Sequence, residues 1–459
     1  MEQITKPHCG ARLDRLPDCR WHSSMFAIVA FGLLVCWSNA VGGLILAQLK
    51  ALGWTDNSTT ATFSAITTAG MFLGALVGGI IGDKTGRRNA FILYEAIHIA
   101  SMVVGAFSPN MDFLIACRFV MGVGLGALLV TLFAGFTEYM PGRNRGTWSS
   151  RVSFIGNWSY PLCSLIAMGL TPLISAEWNW RVQLLIPAIL SLIATALAWR
   201  YFPESPRWLE SRGRYQEAEK VMRSIEEGVI RQTGKPLPPV VIADDGKAPQ
   251  AVPYSALLTG VLLKRVILGS CVLIAMNIVQ YTLINWLPTI FMTQGINLKD
   301  SIVLNTMSMF GAPFGIFIAM LVMDKIPRKT MGVGLLILIA VLGYIYSLQT
   351  SMLLITLIGF FLITFVYMYV CYASAVYVPE IWPTEAKLRG SGLANALGRI
   401  SGIAAPYAVA VLLSSYGVTG VFILLGAVSI IVAIAIATIG IETKGVSVES
   451  LSIDAVANK

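Results

Sequence analysis

The chain has 459 residues, of which 56% are hydrophobic and only 12% are charged. A soluble protein carries about a quarter of charged residues, so this composition excludes an ordinary soluble enzyme and predicts a polytopic membrane protein. The net charge of +9 does not indicate a nucleic-acid partner, because the basic residues stand in short clusters between apolar runs. The seven cysteines are scattered without a CxxC pair, so we expect no disulfide framework, no metal and no cofactor.

Twelve apolar stretches are long enough to cross a bilayer as helices, which satisfy their own backbone hydrogen bonds in lipid. A polar tail over residues 1–23 precedes the first of them, which is interpreted as an uncleaved helix and not as a signal peptide. In chain order, spans 1 to 12 are predicted at 24–48, 60–82, 90–107, 113–138, 150–172, 182–202, 265–292, 301–323, 331–349, 351–379, 389–413 and 418–440.

Lysine and arginine predict the orientation. With twelve spans, 28 of the 33 basic residues fall on the side of both termini, and only Lys50, Arg181 and Lys299 fall on the other side. The remaining two, Arg118 and Arg399, lie within spans. Because cytoplasmic loops carry the excess of positive charge, both termini are predicted to be cytoplasmic.

One long polar segment, residues 203–264, divides the chain into a bundle over 24–202 and a second bundle over 265–440, with a tail over 441–459. Its first part, "SPRWLESRGRYQEAEKVMRSIEE", has charges at helical spacing and predicts one or two short cytoplasmic helices. Its second part, "KPLPPVVIADDGKAPQAVP", is rich in proline and acidic residues and predicts a loose linker.

The two halves repeat each other at corresponding places. "DKTGRR" from Asp83 follows span 2, and "DKIPRK" from Asp324 follows span 8. "EYMP" from Glu138 follows span 4, and "EIWP" from Glu380 follows span 10. These echoes predict an all-α membrane fold of two pseudo-symmetric six-helix halves, which can rock against each other around a site at the bilayer midplane.

On these motifs the chain resembles the major facilitator superfamily, in or beside its sugar porter branch. "GDKTGRR" at 82–88, "RFVMGVGLGA" at 118–127, "PESPR" at 203–207 and "PEIWP" at 379–383 match its signatures in order, and the resemblance covers essentially the whole chain. It implies the major facilitator fold, a transporter and not an enzyme, and a monomer in a bacterial inner membrane. The glycines of the span 4 motif are interpreted as close helix packing rather than substrate contacts.

The resemblance also implies that the charged motifs form a latch between the halves on the cytoplasmic side. Arginine can bind a carboxylate through two hydrogen bonds; the alternative is that these residues only mark topology. The second copy departs from the pattern, with Pro327 where the first has Gly86. The candidate latch residues are Asp83, Arg87, Arg88, Glu138, Arg145, Glu204, Arg207, Asp324, Arg328, Glu380 and Arg389.

Proton coupling has three candidate residues. By resemblance, Arg118 of span 4 lies near a proton-coupling site. Proton-coupled sugar porters place an aspartate on the first helix, whereas this chain has Ser38 and Asn39 there. Glu95 and His98, three residues apart on one face of span 3, are interpreted either as a proton relay or as a packing pair near the cytoplasmic end of that span.

The substrate candidates are amides and tyrosines inside the spans. Amides can bind hydroxyl groups and aromatic rings can stack on a sugar ring, but an intramembrane amide can equally bond a neighbouring helix. Span 7 reads "MNIVQYTLINWLPTIF", which departs from the sugar porter pattern. The candidates are Asn39, Asn157, Tyr160, Asn277, Gln280, Tyr281, Asn285, Asn305 and Tyr372.

These residues predict uptake of a small polar metabolite, a sugar or a sugar-derived or organic acid, by alternating access in symport with protons. One alternative is a metabolite or drug exporter. Exporters of the superfamily carry a Gly-Pro signature on the fifth helix, whereas Gly156 and Pro161 stand apart here. The other alternative is a sensor that kept the transporter fold without transporting.

Overall fold

The computed structural model describes residues 7–17, 19–141, 145–240, 253–323, 325–382 and 386–444. Within these ranges the side chains of residues 133, 134, 137, 145, 146, 254, 387 and 388 are left out of the description. The described chain is made of helices and connecting turns, with no β-strand assigned in these ranges.

Span 1 is not one continuous helix. It forms Arg20–Val35 and Gly42–Ala51, with an interruption between them that corrects the single predicted stretch. Span 5 is likewise divided into two helices, next to Trp158. The other helices of the first half, including those of the polar segment, are Asn57–Thr85, Arg87–Ala106, Met111–Tyr139, Arg145–Asn157, Ser159–Leu170, Ala176–Tyr201, Pro206–Ser211 and Tyr215–Thr233.

The second half begins with a short helix, Tyr254–Leu257, before span 7 at Gly260–Thr293. Span 10 contains a π-helical turn at Cys371–Tyr377, a feature that often occurs at functional sites. Spans 11 and 12 form Lys387–Ile439, which is interrupted at Gly417, where φ is 65°. The remaining helices are Leu298–Met309, Gly311–Val322, Arg328–Ser347, Met352–Val370 and Val378–Glu380.

In the described part of the chain, nine helical stretches are long and apolar enough to cross a membrane. The nine leave out the divided spans 1 and 5 and count spans 11 and 12 as one stretch. The architecture is therefore that of an all-α membrane protein, and it is consistent with twelve spans.

The chain divides into two compact units. The boundaries between them fall at several places in the chain and not only in the long polar segment. Residues 40–69 and 160–183, which the sequence assigns to the first bundle, group with the second bundle. The first unit takes its described residues from Met1–Asn39, Gly70–Ser159 and Leu184–Gly246, and the second from Ala40–Ala69, Tyr160–Gln183 and Lys247–Lys459.

The N-terminal tail of the first unit packs on the helices of the polar segment. A short helix, Cys9–Asp14, lies against Tyr215–Thr233, and their apolar side chains form a buried cluster. Arg12 forms ion pairs with Glu219 and Glu226. Burial by itself would raise the pKa of Glu226, but the hydrogen bonds and the positive charges of Arg12 and Arg15 together hold the pKa of this carboxyl below its ordinary value.

Spans 2 and 4 approach each other closely in the first unit because both carry glycines at their contact. A Cβ atom on Gly74 would clash with the backbone of Val123, and one on Gly126 would clash with the backbone of Met71. Small residues let helix backbones come together in membranes, where packing and not the hydrophobic effect holds helices to each other.

Gly126→Ala should lower the stability of the detergent-purified protein by about 1–3 kcal/mol, because the added methyl group overpacks this contact. The measurement is the apparent melting temperature from size-exclusion chromatography after heating.

Gly79→Ala is the matched control, since nothing lies within 4 Å of a Cβ atom at that position on span 2. It should leave the melting temperature unchanged or slightly raised, because alanine favours helix more than glycine. Equal melting temperatures for the two variants would contradict the close-packing interpretation.

Candidate functional site

The interruption of span 1 brings a cationic side chain of span 4 onto the backbone. Residues 36–41 interrupt the regular helix, so the carbonyl groups in this stretch that lose their helical partners need other donors. Arg118, which is completely buried, donates to the carbonyl oxygen of Ser38 at 2.7 Å. The same Nη1 atom lies 3.3 Å from the sulfur of Met121. The guanidinium therefore holds the irregular backbone in place inside the membrane.

The same interruption carries a polar cluster with span 3. The hydroxyl of Ser38 lies 2.7 Å from Nε2 of His98, and Nδ1 of His98 lies 3.6 Å from a carboxylate oxygen of Glu95. The thiol of Cys36 donates to the other oxygen of Glu95 at 3.7 Å. Glu95 and His98 are completely buried. An acid, an imidazole and a hydroxyl are thus joined within one unit.

The position of Glu95 and His98 corrects the expectation of a pair at the cytoplasmic end of span 3. They lie eight and eleven residues beyond Arg87, the first residue of that helix, and His98 contacts the interruption of span 1. The backbone of His98 also packs against Gly124 of span 4, where an added Cβ atom would lie 3.0 Å from the backbone nitrogen of His98. Sequence spacing paired the two residues correctly but could not give their neighbour on span 1.

The ligand atoms of Cys36, Glu95 and His98 lie within 4.8 Å of one another, a spacing that could also hold a metal ion. Each of the three already has a polar neighbour, since the thiol donates to the carboxylate and the imidazole contacts Ser38. These contacts within the protein account for the cluster without an ion, and we assign no metal to it.

A second charged site lies where span 3 begins. Arg87 forms ion pairs with Asp83 at 2.7 Å and with Glu138 at 2.7 Å. Glu204 accepts hydrogen bonds from the backbone N–H groups of Arg87 and Arg88 at 2.7 and 3.2 Å. These N–H groups open the helix and have no partner within it, so the carboxylate caps the helix and is favoured by its dipole. Ser205 then donates to Glu138 at 2.5 Å.

The second half repeats this arrangement where span 9 begins. Arg328 binds Glu380 through two nitrogens, at 3.0 and 3.1 Å. Glu442 accepts hydrogen bonds from the backbone N–H groups of Arg328 and Lys329 at 2.8 and 3.1 Å. Thr443 donates to Glu380 at 2.6 Å. The pseudo-symmetric pairs of the two sites are Arg87 and Arg328, Glu138 and Glu380, Glu204 and Glu442, and Ser205 and Thr443.

Glu442 was missed in the sequence because the C-terminal "IETKG" does not look like "PESPR". A signal was nevertheless present, since a glutamate followed by a hydroxyl residue comes directly after the last span of each half. Pro327 stands at the position that corresponds to Gly86, but it does not prevent the charged site at the start of span 9 from forming. Gly86 has a φ of 96°, which favours glycine, whereas Pro327 precedes its helix with a φ of −56°.

The other candidate latch residues have different surroundings. The side chain of Arg88 donates to the carbonyl of Trp199, and that of Arg207 pairs with Asp14 of the N-terminal helix. Arg389 lies half-buried in the first turn of span 11. Asp324 and the side chain of Arg145 lie outside the described residues.

Three substrate candidates lie on spans 5, 7 and 8 within the second unit. The ring of Tyr160 packs edge-on against that of Tyr367, with centroids 5.4 Å apart. Asn305 donates to Ser164 at 3.1 Å, and its buried carbonyl oxygen has no hydrogen-bond partner among the described residues. Gln280 is half-buried on span 7. Together these side chains offer both hydrogen-bond donors and acceptors within the second unit.

Span 7 meets span 11 at two further candidates. Asn277 donates to the carbonyl of Leu273 in its own helix at 2.7 Å. A Cβ atom on Gly398 would lie 3.0 Å from the Asn277 nitrogen, and one on Gly402 would lie 3.1 Å from the ring of Tyr281. The glycines of span 11 therefore leave room for these polar side chains.

The four remaining candidates either contact neighbouring groups of the protein or lie in the interruption of span 1. Asn157 donates to the carbonyl of Ser153 in its own helix. Asn285 is buried, and its backbone packs against Gly43 of span 1. Tyr372 is completely buried, and its ring stacks between two other tyrosines of span 10. Asn39 is half-buried in the interruption of span 1.

Glu442→Gln should remove an acid-sensitive contribution to stability. Burial alone would raise the pKa of Glu442, but three backbone N–H donors and the charge of Arg328 hold it below its ordinary value. A carboxyl with a lowered pKa stabilises the fold above its unfolded-state pKa, and this contribution is lost as the pH falls through the folded pKa. The melting temperature of Glu442→Gln should therefore fall less between neutral and acidic pH than that of the wild type.

Glu177→Gln provides the control, because Glu177 is an exposed glutamate outside this cluster. Its melting temperature should follow the wild-type dependence on pH. An identical pH dependence for Glu442→Gln and the wild type would show that the capping contact contributes nothing.

Comparison with known proteins agrees with these features. The model of the Major Facilitator Superfamily matches residues 25–406. The inner membrane metabolite transport protein YdjE of Escherichia coli is 44% identical over 98% of this chain and 99% of its own. The niacin transporter NiaP of Acinetobacter baylyi is 25% identical over 96% and 99%.

Among solved structures, the inward-open xylose transporter XylE from E. coli has a similar fold, with a TM-score of 0.75 at 16% identity over 94% of this chain and 99% of that one. The family model covers most of the chain, and the motifs, the helical architecture and the repeated charged sites agree with it. The chain therefore belongs to the Major Facilitator Superfamily of membrane transporters.

Proposed function

We propose that this metabolite transporter takes up a small polar compound together with protons across the bacterial inner membrane by alternating access. The compound is a sugar or a sugar-derived or other organic acid. The observation that carries the proposal is the buried cluster of Glu95, His98 and Ser38 beside Arg118. Ionisable residues inside a membrane span are costly and usually serve a function.

The cluster has the chemistry of a proton site. An imidazole and a carboxylate can both bind and release protons, and such residues inside membrane spans form the proton relays of pumps and transporters. One oxygen of Glu95 and Nδ1 of His98 have no hydrogen-bond partner in the described part of the chain, although they face each other at 3.6 Å. A proton taken up between them would complete this contact. Glu95 and His98 thus supply the ionisable groups that span 1 lacks.

The cluster also lies at the interruption of span 1, where a movement of that helix would alter its surroundings. The boundary between the two units passes between Asn39 and Ala40, inside the interruption of span 1. Ser38 belongs to the first unit and connects His98 with Arg118 through its hydroxyl and its carbonyl. Movement of span 1 at this interruption would change the surroundings of both ionisable residues, which is what coupling requires.

Within the second unit, two contacts join helices of the first and second halves at the end opposite the predicted cytoplasmic side. There the outer helix of span 1 packs on span 7, with Gly43 against the carbonyl of Ile284. Asn57, at the start of span 2, donates to Ser414 of span 11 at 2.9 Å. These contacts would have to break for that end to open.

Proton coupling is tested in proteoliposomes with a panel of D-xylose, D-glucuronate and nicotinate, each applied with and without an inward pH gradient. The wild type should accumulate at least one compound only when the gradient is present. Glu95→Gln and His98→Asn should lose this accumulation but keep exchange of internal for external substrate, because exchange needs no net movement of protons.

Asp112→Asn serves as the control, because it removes an exposed carboxylate from the start of span 4. It should accumulate substrate like the wild type. Gradient-driven accumulation by Glu95→Gln and His98→Asn would refute the assignment of the proton site. Efflux driven by the gradient would favour the exporter, and binding without any transport would favour the sensor.

The charged site at the start of span 3 should act in the transport cycle as half of a cytoplasmic latch. Asp83→Asn removes one of the two carboxylates paired with Arg87, so it should reduce uptake severely while the protein remains in the membrane. Uptake per amount of membrane protein, compared with the wild type, measures the effect. Uptake near the wild-type rate at normal abundance would remove the latch from the mechanism.

A further inference from the structure

Arg399 is a cation deep inside span 11. It lies twelve residues beyond Lys387, where the helix begins, which corresponds to about 18 Å along the helix axis. The hydrocarbon core of a bilayer is about 30 Å thick, so Arg399 stands near its middle. A charge at this depth is expensive and faces the protein interior or a water-filled cavity.

The exposed residues of span 11 divide into two faces. Leu397, Ile400 and Val411 are exposed and apolar, as expected of a surface turned to lipid. Asn395 is exposed and Arg399 half-buried. These two lie four residues apart and therefore within about 40° of each other, whereas Ile400 points about 100° away from Arg399. Arg399 thus belongs to a polar face distinct from the lipid-facing one.

The polar face adjoins the contact between spans 11 and 7. Gly398 and Gly402 leave room for Asn277 and Tyr281, as described above. Arg399 follows Gly398 directly and lies within about 60° of Gly402 around the helix. A ligand bound to Arg399 from this face would have an amide and a phenol ring beside it.

No carboxylate from the spans of the second half balances this charge. Residues 247–299, 301–323, 325–379 and 386–441 contain neither aspartate nor glutamate. Glu95, inside span 3, is completely buried against other groups of the first unit. The Nη1 atom of Arg399 is itself buried without a hydrogen-bond partner in the described part of the chain. A buried donor without a partner is costly, and an anion bound from outside would satisfy this nitrogen with a charge-assisted hydrogen bond.

We propose that Arg399 binds the carboxylate of the transported substrate, so that the cargo is a small organic acid and not a neutral sugar. This inference rests on the proposed transport function and specifies its substrate class. The planar guanidinium donates two parallel hydrogen bonds to the carboxylate. Asn277 and Tyr281 contact the hydroxylated or aromatic body of the same molecule.

The test compares two pairs of compounds that differ in the carboxylate, D-glucuronate with D-glucose and nicotinate with nicotinamide. Binding to the full-length purified protein is measured by thermal shift and by calorimetric titration. At least one acid should bind, and its neutral partner should bind at least about tenfold more weakly. Arg399→Gln should lose this preference, whereas Arg399→Lys should keep the preference with reduced affinity, because it retains the charge but not the planar pair of donors.

Lys299→Gln is the control, since it removes an exposed positive charge from the same half and should leave acid binding unchanged. Binding of the acids by Arg399→Gln at wild-type affinity overturns the proposal, as does binding of the neutral compounds alone or of none of the acids. If Arg399→Gln does not yield folded protein, an Arg399→Lys variant without any preference for the acid overturns it equally.

The outcomes separate this inference from the proposed function. Gradient-driven uptake restricted to neutral sugars refutes the carboxylate site and leaves proton-coupled transport intact. Binding of an acid that depends on Arg399, without any gradient-driven uptake, refutes proton coupling and leaves the carboxylate site intact.

Discussion

The hydrogen bond from Arg118 to the carbonyl of Ser38 is the interaction on which the first unit depends. Lipid offers no partner to a free backbone carbonyl, so an interrupted membrane helix must find donors within the protein. Here one buried cation supplies the donor, and the hydroxyl of the same serine reaches His98. Ser38 therefore both receives the support of the irregular backbone and contacts the ionisable pair.

The same requirement for backbone partners shapes the ends of spans 3 and 9. A glutamate from the segment after the last span of each half accepts the free N–H groups of the opening helix turn, and an arginine of that turn binds a second glutamate. Each site joins three segments that are distant in sequence. Because the two sites use equivalent residues, the duplication extends from the motifs to their hydrogen bonds.

Ionisable groups are distributed unequally between the halves. The first half holds the buried carboxylate and imidazole inside its spans, whereas the spans of the second half contain no carboxylate and retain Arg399. Proton exchange needs groups that can bind and release a proton, whereas binding of an organic acid needs a permanent cation. Under the proposed function and the proposed carboxylate site, protons would be handled in the first half and the anion would be recognised in the second.

The sequence by itself determined the membrane class, the helical architecture and the repeat, because apolar length and charged signatures are local properties of the chain. It also paired Glu95 with His98 through helical spacing. The tertiary structure decided the interruption of span 1, the contact of His98 with Ser38 and the capping role of Glu442. These depend on which helix supplies a partner to a backbone or side-chain group far away in sequence, and residue spacing along one helix carries no information about its neighbours.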